Sequence, residues 1–133
     1  MMSEENVQLS KRVLEAWNRR DVEATIALAS PEVVWHPVLE ETIDGQTYRG
    51  HAGLRQYYKD LAEQGVESQG KLTEFRDLGD QVLGLGCLSF RSPTGVELDS
   101  EIACLWRWSK GRCVEARTWL DHAEALEAAG LRD

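Results

Sequence analysis

The sequence predicts an α+β fold, a curved antiparallel sheet whose concave face is covered by helices from the N-terminal half. Three observations lead there. A helical period governs residues 4–19, strand-like runs fill residues 71–120, and the junctions between those runs are the short turn signals Gly79-Asp80, Ser92-Pro93-Thr94-Gly95 and Ser109-Lys110-Gly111. Helices gathered early and hairpin-linked strands gathered late build a sheet with helices packed on one side. At 133 residues the chain is expected to form one domain, spanning 1–133, around one hydrophobic core.

In residues 4–19 a 3.6-residue period gathers Val7, Leu9, Val13, Leu14, Ala16 and Trp17 on one half of a helix and leaves Lys11, Arg12, Glu15, Asn18 and Arg19 on the other. Asp21 is placed to cap a second helix over 22–29, which Ser30-Pro31 ends because proline biases its predecessor away from helical geometry. The β-branched and aromatic run Val33-Val34-Trp35-His36-Pro37 reads as a first strand, with Pro37 at its end or edge. Residues 40–50 read as a loop containing an Asp44-Gly45 turn, with Thr47-Tyr48-Arg49 extended. A third helix opens at Gly50, and its Leu54, Tyr57, Tyr58 and Leu61 share an inward face opposite Arg55, Lys59 and Glu63. Strands follow at 71–78, 81–91, 97–108 and 113–120, and Asp121 begins a short terminal helix.

Period-two alternation divides the last two strands into faces. Ile102, Cys104, Trp106 and Trp108 form one set with Val114, Ala116, Thr118 and Leu120; this apolar set is expected under the helices, joined by a three-residue loop with Gly111 left-handed. The other face mixes Ala103, Leu105 and Trp119 with charges, a composition that suggests a homodimer formed through the sheet. Gly84 and Gly86 are expected to ease bending of the long strand over 81–91.

Lysine and arginine number 15 against 23 acidic residues, a formal charge of −8. A field of that sign repels phosphates and anionic headgroups, so neither a nucleic-acid partner nor a membrane surface is expected. The first residues carry no basic region followed by an apolar run, and no segment approaches spanning length, which points to a cytoplasmic protein. Cys87, Cys104 and Cys113 are odd in number and lack C-x-x-C spacing, so buried thiols are expected rather than disulfides or a zinc site.

The order helix, helix, strand, helix and then long antiparallel strands resembles the nuclear transport factor 2-like fold and, within it, the SnoaL-like polyketide cyclase and ketosteroid isomerase branch. The residues that carry the resemblance are Arg20-Asp21-Val22-Glu23-Ala24, the run from Pro31 to Pro37, the run from Tyr48 to Leu54, and the stretch from Trp119 to Leu131. Together they span nearly the whole chain. The resemblance implies a cone-shaped, cystatin-like scaffold with a mostly apolar pocket, often paired as a homodimer. That scaffold serves isomerases, cyclases, dehydratases, epoxide hydrolases and non-catalytic binders, so chemistry has to be argued from the site.

Carried over by position, the isomerase's catalytic carboxylate is replaced by His36 before Pro37, and an imidazole that titrates near neutrality can still act as a base. The place of its oxyanion tyrosine falls on Val13, and that of the partner acid on Cys104. Both donors are missing, and one good donor supplies roughly 3–4 kcal/mol to a transition state, so steroid isomerisation by that route is not expected. Tyr58 matches a tyrosine near the same site and is expected as a hydrogen-bond donor. The epoxide-hydrolase arrangement of an arginine between two aspartates is not found among the inward sheet positions.

The expected wall comprises Trp17, Leu54, Tyr57, Ile102, Cys104, Trp106, Thr118 and Leu120 around a small hydrophobic or polyketide-like molecule. No cofactor is implied, and the scattered His36, His51 and His122 suggest no metal. Plainer readings stand beside these: His36 as a strand end, the tyrosines as core aromatics with a satisfied hydroxyl, Trp17 and Trp106 as cavity fillers, Cys104 as an inert buried thiol, and Asp121-x-x-Glu124 as a helix cap rather than a pocket acid. Two function classes follow: a cofactor-free isomerase or cyclase working by general acid–base proton transfer, or a non-catalytic ligand-binding or assembly module.

Overall fold

A computed structural model describes residues 2–37, 47–65 and 67–131. The elements in chain order are α1 (Met2–Asn18), α2 (Val22–Leu28), β1 (Ala29–His36), β2 (Tyr48–Arg49), α3 (Gly50–Gln64), β3 (Glu67–Asp77), β4 (Gln81–Arg91), β5 (Glu97–Ser109), β6 (Arg112–Trp119) and α4 (His122–Ala128). The α+β class is as expected. The loop and Asp44-Gly45 turn expected within residues 40–46 lie outside the described residues.

The strands form one sheet in the order β2-β1-β6-β5-β4-β3. Neighbours pair antiparallel except β1 and β6, which run parallel, with Val34 opposite Glu115 and His36 opposite Arg117. These two strands are separated in sequence by α3 and the whole meander, so no hairpin dictates their sense. β1 begins at Ala29 directly after α2, so Ser30-Pro31 lies in the opening of the strand. The strand tolerates a proline there because the β1–β6 pairing is interrupted between Ala29 and Val34.

The β5–β6 hairpin departs from expectation in a way that decides its faces. Ser109 pairs directly with Arg112, leaving a loop of Lys110 and Gly111, both left-handed at φ 52° and 77°. Two positive φ values are the signature of a type I′ turn, whose twist matches that of the strands it joins. The shorter loop moves Cys113 opposite Trp108, and a bulge between Arg107 and Trp108 restores the register, so that Trp106 meets Ala116 and Cys104 meets Thr118. Cys113 thus takes the core position expected of Val114.

Gly86 is required by packing. A Cβ there would lie 1.9 Å from the Lys71 carbonyl oxygen, where the β3–β4 register shifts between Leu72 and Glu74. Only a residue without a side chain lets the bulged strand approach so closely.

The concave face packs on α1 and α3 through Val13, Val33, Trp35, Leu54, Tyr57, Tyr58, Val82, Trp106 and Trp108. Trp108 donates its indole N–H to Ser10 Oγ at 2.8 Å, and Ser10 donates to the Asn6 carbonyl at 2.8 Å, which satisfies the polar atoms buried between helix and sheet. A second cluster lies on the convex face. There Leu83, Leu85, Ala103, Leu105 and Trp119 pack against Ala125 of α4, with Leu126, Ala129 and Leu131 at its rim. Asp121 is the N-cap of α4, accepting from the backbone N–H groups of Ala123 and Glu124, so the capping reading holds. Trp119 is 5% exposed because α4 of its own chain covers it. The open apolar face that suggested a homodimer is therefore closed within the chain. Beyond the reach of α4 on the same side of β4, Cys87 is exposed, contrary to the expectation that all the thiols are buried. Among the described residues no helix is long and apolar enough to cross a membrane.

Candidate functional site

Between α1, α3 and the concave face lies a cavity lined by Val13, Leu14, Trp17, Trp35, Pro37, Tyr57, Gly70, Ile102, Cys104, Trp106, Ala116 and Thr118. Its volume is about 50 Å³, behind a mouth open to solvent. That is several times the roughly 10–15 Å³ that one water requires. Trp17, Trp35 and Trp106 therefore line the cavity without filling it.

Of the expected wall, Trp17, Tyr57, Ile102, Cys104, Trp106 and Thr118 are brought together here. Leu54 is fully buried in the core beside them and does not line the space. Leu120 is 38% exposed and outside it, because β6 stops at Trp119 and the chain turns at the Asp121 cap. Trp35 belongs to the wall and was not foreseen. The signal was present: alternation along β1 puts Val33 and Trp35 on one face, Val34 and His36 on the other.

The same alternation removes His36 from the cavity. Its Nε2 lies 3.0 Å from Glu115 Oε2, with Arg107 3.5 Å from the other carboxylate oxygen, and its Nδ1 is 3.4 Å from Thr47 Oγ1. Its imidazole thus joins a charged cluster on the convex face. Pro37, the next residue, lines the cavity in its place. Tyr58 also turns elsewhere. Its hydroxyl pairs with Thr25 Oγ1 at 2.8 Å, while Thr25 donates to the Asp21 carbonyl, so this phenol ties α3 to α2, and burial pushes its pKa up.

Tyr57 is the phenol of the site. Trp17 Nε1 donates to its hydroxyl oxygen at 2.8 Å. An indole N–H is only a donor, so this bond uses a lone pair of the phenol and not its proton. No acceptor among the described residues takes its own proton. Burial raises the Tyr57 pKa, partly offset by Trp17, the Arg20 charge and Trp35, so the group stays protonated at neutral pH. Tyr57 also packs at 5.7 Å from Trp35 and 5.4 Å from Tyr48, contacts that hold its ring in place.

The remaining polar groups of the wall are muted. Thr118 donates to Cys104 Sγ at 3.9 Å, and burial pushes the Cys104 thiol up to about 12, which makes it unreactive. Val13 and Cys104 both line the cavity, so the positions matched to the isomerase's oxyanion donors face the expected space with different chemistry. Outside it, His51 Nε2 binds the Ala29 carbonyl and His122 Nε2 the Gly86 and Ile102 carbonyls, each a structural tie. Among the described residues no group of histidine, cysteine and carboxylate side chains could hold a metal.

Comparison with known proteins agrees with this architecture. The SnoaL-like domain profile matches residues 10–116. A nuclear transport factor 2-like protein from Burkholderia pseudomallei is 25% identical, with a TM-score of 0.78 over 92% of this chain and 95% of its own. One from Burkholderia xenovorans is 26% identical, with a TM-score of 0.72 over 95% of each chain. A polyketide-cyclase-like protein from Xanthomonas campestris is 15% identical and shares the fold, with a TM-score of 0.75 over 96% of this chain and 98% of its own. No curated protein matches the chain in sequence.

Proposed function

Since the chain belongs to the SnoaL-like domain family, we propose that its cavity receives a small, flat, largely apolar molecule and orients it by a hydrogen bond from Tyr57 to an oxygen acceptor on that molecule. One observation carries this reading. The Tyr57 oxygen accepts the Trp17 N–H and no described residue accepts the phenol proton, which leaves that proton to point at a ligand. Apolar walls with a few aimed polar groups are the usual composition of small-molecule sites, because the walls supply affinity and the polar groups supply orientation.

Binding is better supported than turnover. A phenol that polarises a carbonyl acidifies the neighbouring C–H bond, the first requirement of isomerase or cyclase chemistry, but proton transfer also needs a base within hydrogen-bond reach. The described lining residues include neither a carboxylate nor an imidazole, and His36 faces the other side of the sheet. An activity of that kind is the second reading, supported by the carbonyl-polarising geometry of Tyr57.

Paired probes of one skeleton test the proposal: 1-indanone, which carries a carbonyl, and indane, which does not. Trp17, Trp35 and Trp106 report occupancy through their fluorescence. Tyr57→Phe is expected to weaken 1-indanone about 3- to 10-fold, the effect of losing one net hydrogen bond, and to leave indane unchanged. Equal losses for the two probes would show that Tyr57 serves only as packing and would defeat the reading.

A further inference from the structure

We infer that Arg20 sets the charge preference of the cavity: acting through Trp17 on Tyr57, it makes the site favour the anion of a small planar acid, a phenol or an enol, over the neutral form. This rests on the reading of the cavity as a small-molecule site with Tyr57 as its donor.

The first observation is conformational. Arg20 follows the end of α1 in the left-handed region at φ 57°, a position at helix ends that normally belongs to glycine. Its side chain folds back over the helix. The guanidinium carbon stands 4.1 Å from the Trp17 ring centroid, and Nη1 donates to the Trp17 carbonyl at 2.8 Å. Nη2 donates to the Ser68 carbonyl at 3.1 Å and to Ser68 Oγ at 2.8 Å.

Every one of those partners is neutral. Among the described residues no carboxylate pairs with Arg20, although the chain carries a net charge of −8. The neighbouring Asp21 spends Oδ1 on the Ala24 N–H at 3.0 Å and lies 3.9 Å from Arg19 through Oδ2. The elements packed around Arg20 present the phenols Tyr57 and Tyr58 from α3, the Asp21 carboxylate at the start of α2, and the uncharged Ser68 and Gln69 from β3. A half-buried cation without a counter-ion keeps much of its field, because solvent screens it less than it would at the surface.

That field reaches the cavity through a specific path. Trp17 lies under the guanidinium and donates its indole N–H to the Tyr57 oxygen at 2.8 Å. A cation on the ring face draws electron density from the indole and strengthens its N–H as a donor. Consecutive hydrogen bonds polarise one another, so the Tyr57 O–H becomes a stronger donor in turn. No acidic side chain among the described lining residues opposes it, and the Thr118 proton is spent on Cys104. A stronger donor backed by a positive charge gains most against an acceptor that carries negative charge.

4-Nitrophenol is the probe, since its ionised and neutral forms absorb at different wavelengths and can be counted separately when bound near its own pKa. The native protein is expected to bind the anion about tenfold more tightly than the neutral form, the scale of one pKa unit from a nearby opposite charge. Arg20→Gln should reduce that ratio about threefold or more, and Arg20→Lys should retain most of it. Arg20→Gly, which suits the left-handed backbone, also loses the ratio and serves if the glutamine variant does not fold. A residue that only staples the end of α1 would weaken both forms together, so an unchanged ratio in the glutamine and glycine variants overturns the inference, as does a native preference for the neutral form. If 1-indanone binds and 4-nitrophenol does not in either state, the inference falls and the binding site stands. If neither binds, both fall.

Discussion

Adjacent in sequence, Tyr57 and Tyr58 send their hydroxyls to different partners because consecutive helical residues diverge by about 100° around the axis. Tyr58 meets Thr25 on α2, whereas Tyr57 meets the Trp17 indole of α1. Both were expected to point inward, and both are buried. What separates a cavity phenol from a core phenol is which neighbour arrives at the oxygen, and that depends on α1 and α2 rather than on α3. His36 makes the same point from a strand. With its ring on Glu115, His36→Ala is expected to change 1-indanone affinity by less than about twofold and to cost about 1 kcal/mol or less, the range of a single partly exposed hydrogen bond. Fluorescence titration and thermal melting of the variant give the two numbers, and a tenfold loss of affinity would return His36 to the cavity.

The β5–β6 hairpin shows how an element corrects itself. A two-residue loop instead of three, taken alone, would move β6 by one position and reverse its faces, yet the bulge at Arg107 and Trp108 absorbs the shift before Ala116 and Thr118 are reached. Thr118 therefore keeps its expected place in the cavity wall although the turn is not the expected one, while Ala116 rather than Leu120 joins it on β6. α4 has the opposite effect on expectation. Its apolar Ala125, Leu126 and Ala129 cover Leu83, Leu105 and Trp119, converting an apparent interface into a second core. Trp119→Ala is accordingly expected to destabilise the fold by about 3–5 kcal/mol, as for a large core aromatic. Urea denaturation measures the loss, and sedimentation of the folded fraction should show the native assembly state unchanged. A variant of native stability that changed its sedimentation would show that Trp119 lies between subunits after all.

The buried thiols and phenols respond together to alkali. Burial holds Cys104 and Cys113 up to about 12, while burial first and the Asp60 hydrogen bond second hold Tyr48 up to about 12; Tyr57 and Tyr58 are also raised by burial. In the unfolded chain thiols ionise near about 8.5 and phenols near about 10. The folded state therefore binds more protons across that interval, and stability falls as pH rises through it. The contribution is fully present below about 8.5 and is lost progressively towards pH 12. Urea midpoints taken at pH 7.5 and at about pH 10.5 should show the drop, and equal midpoints would mean that these groups are accessible to solvent in the folded protein.

Local pattern carried most of the architecture in this chain. The period of α1, the Asp21 and Asp121 caps, the turn residues and the alternation of β5 and β6 are nearest-neighbour properties, so helices, hairpins and six of the wall residues could be read directly from them. His36 and Trp35 could have been sorted by the same alternation, since a strand of any sense sends successive side chains to opposite faces. Other features depend on contacts between segments far apart in sequence. The parallel entry of β1 beside β6, the covering of Trp119 by α4, the meeting of the Trp17 indole with the Tyr57 oxygen and the placing of Arg20 over Trp17 have no local signature, because each is decided by how finished elements pack against one another.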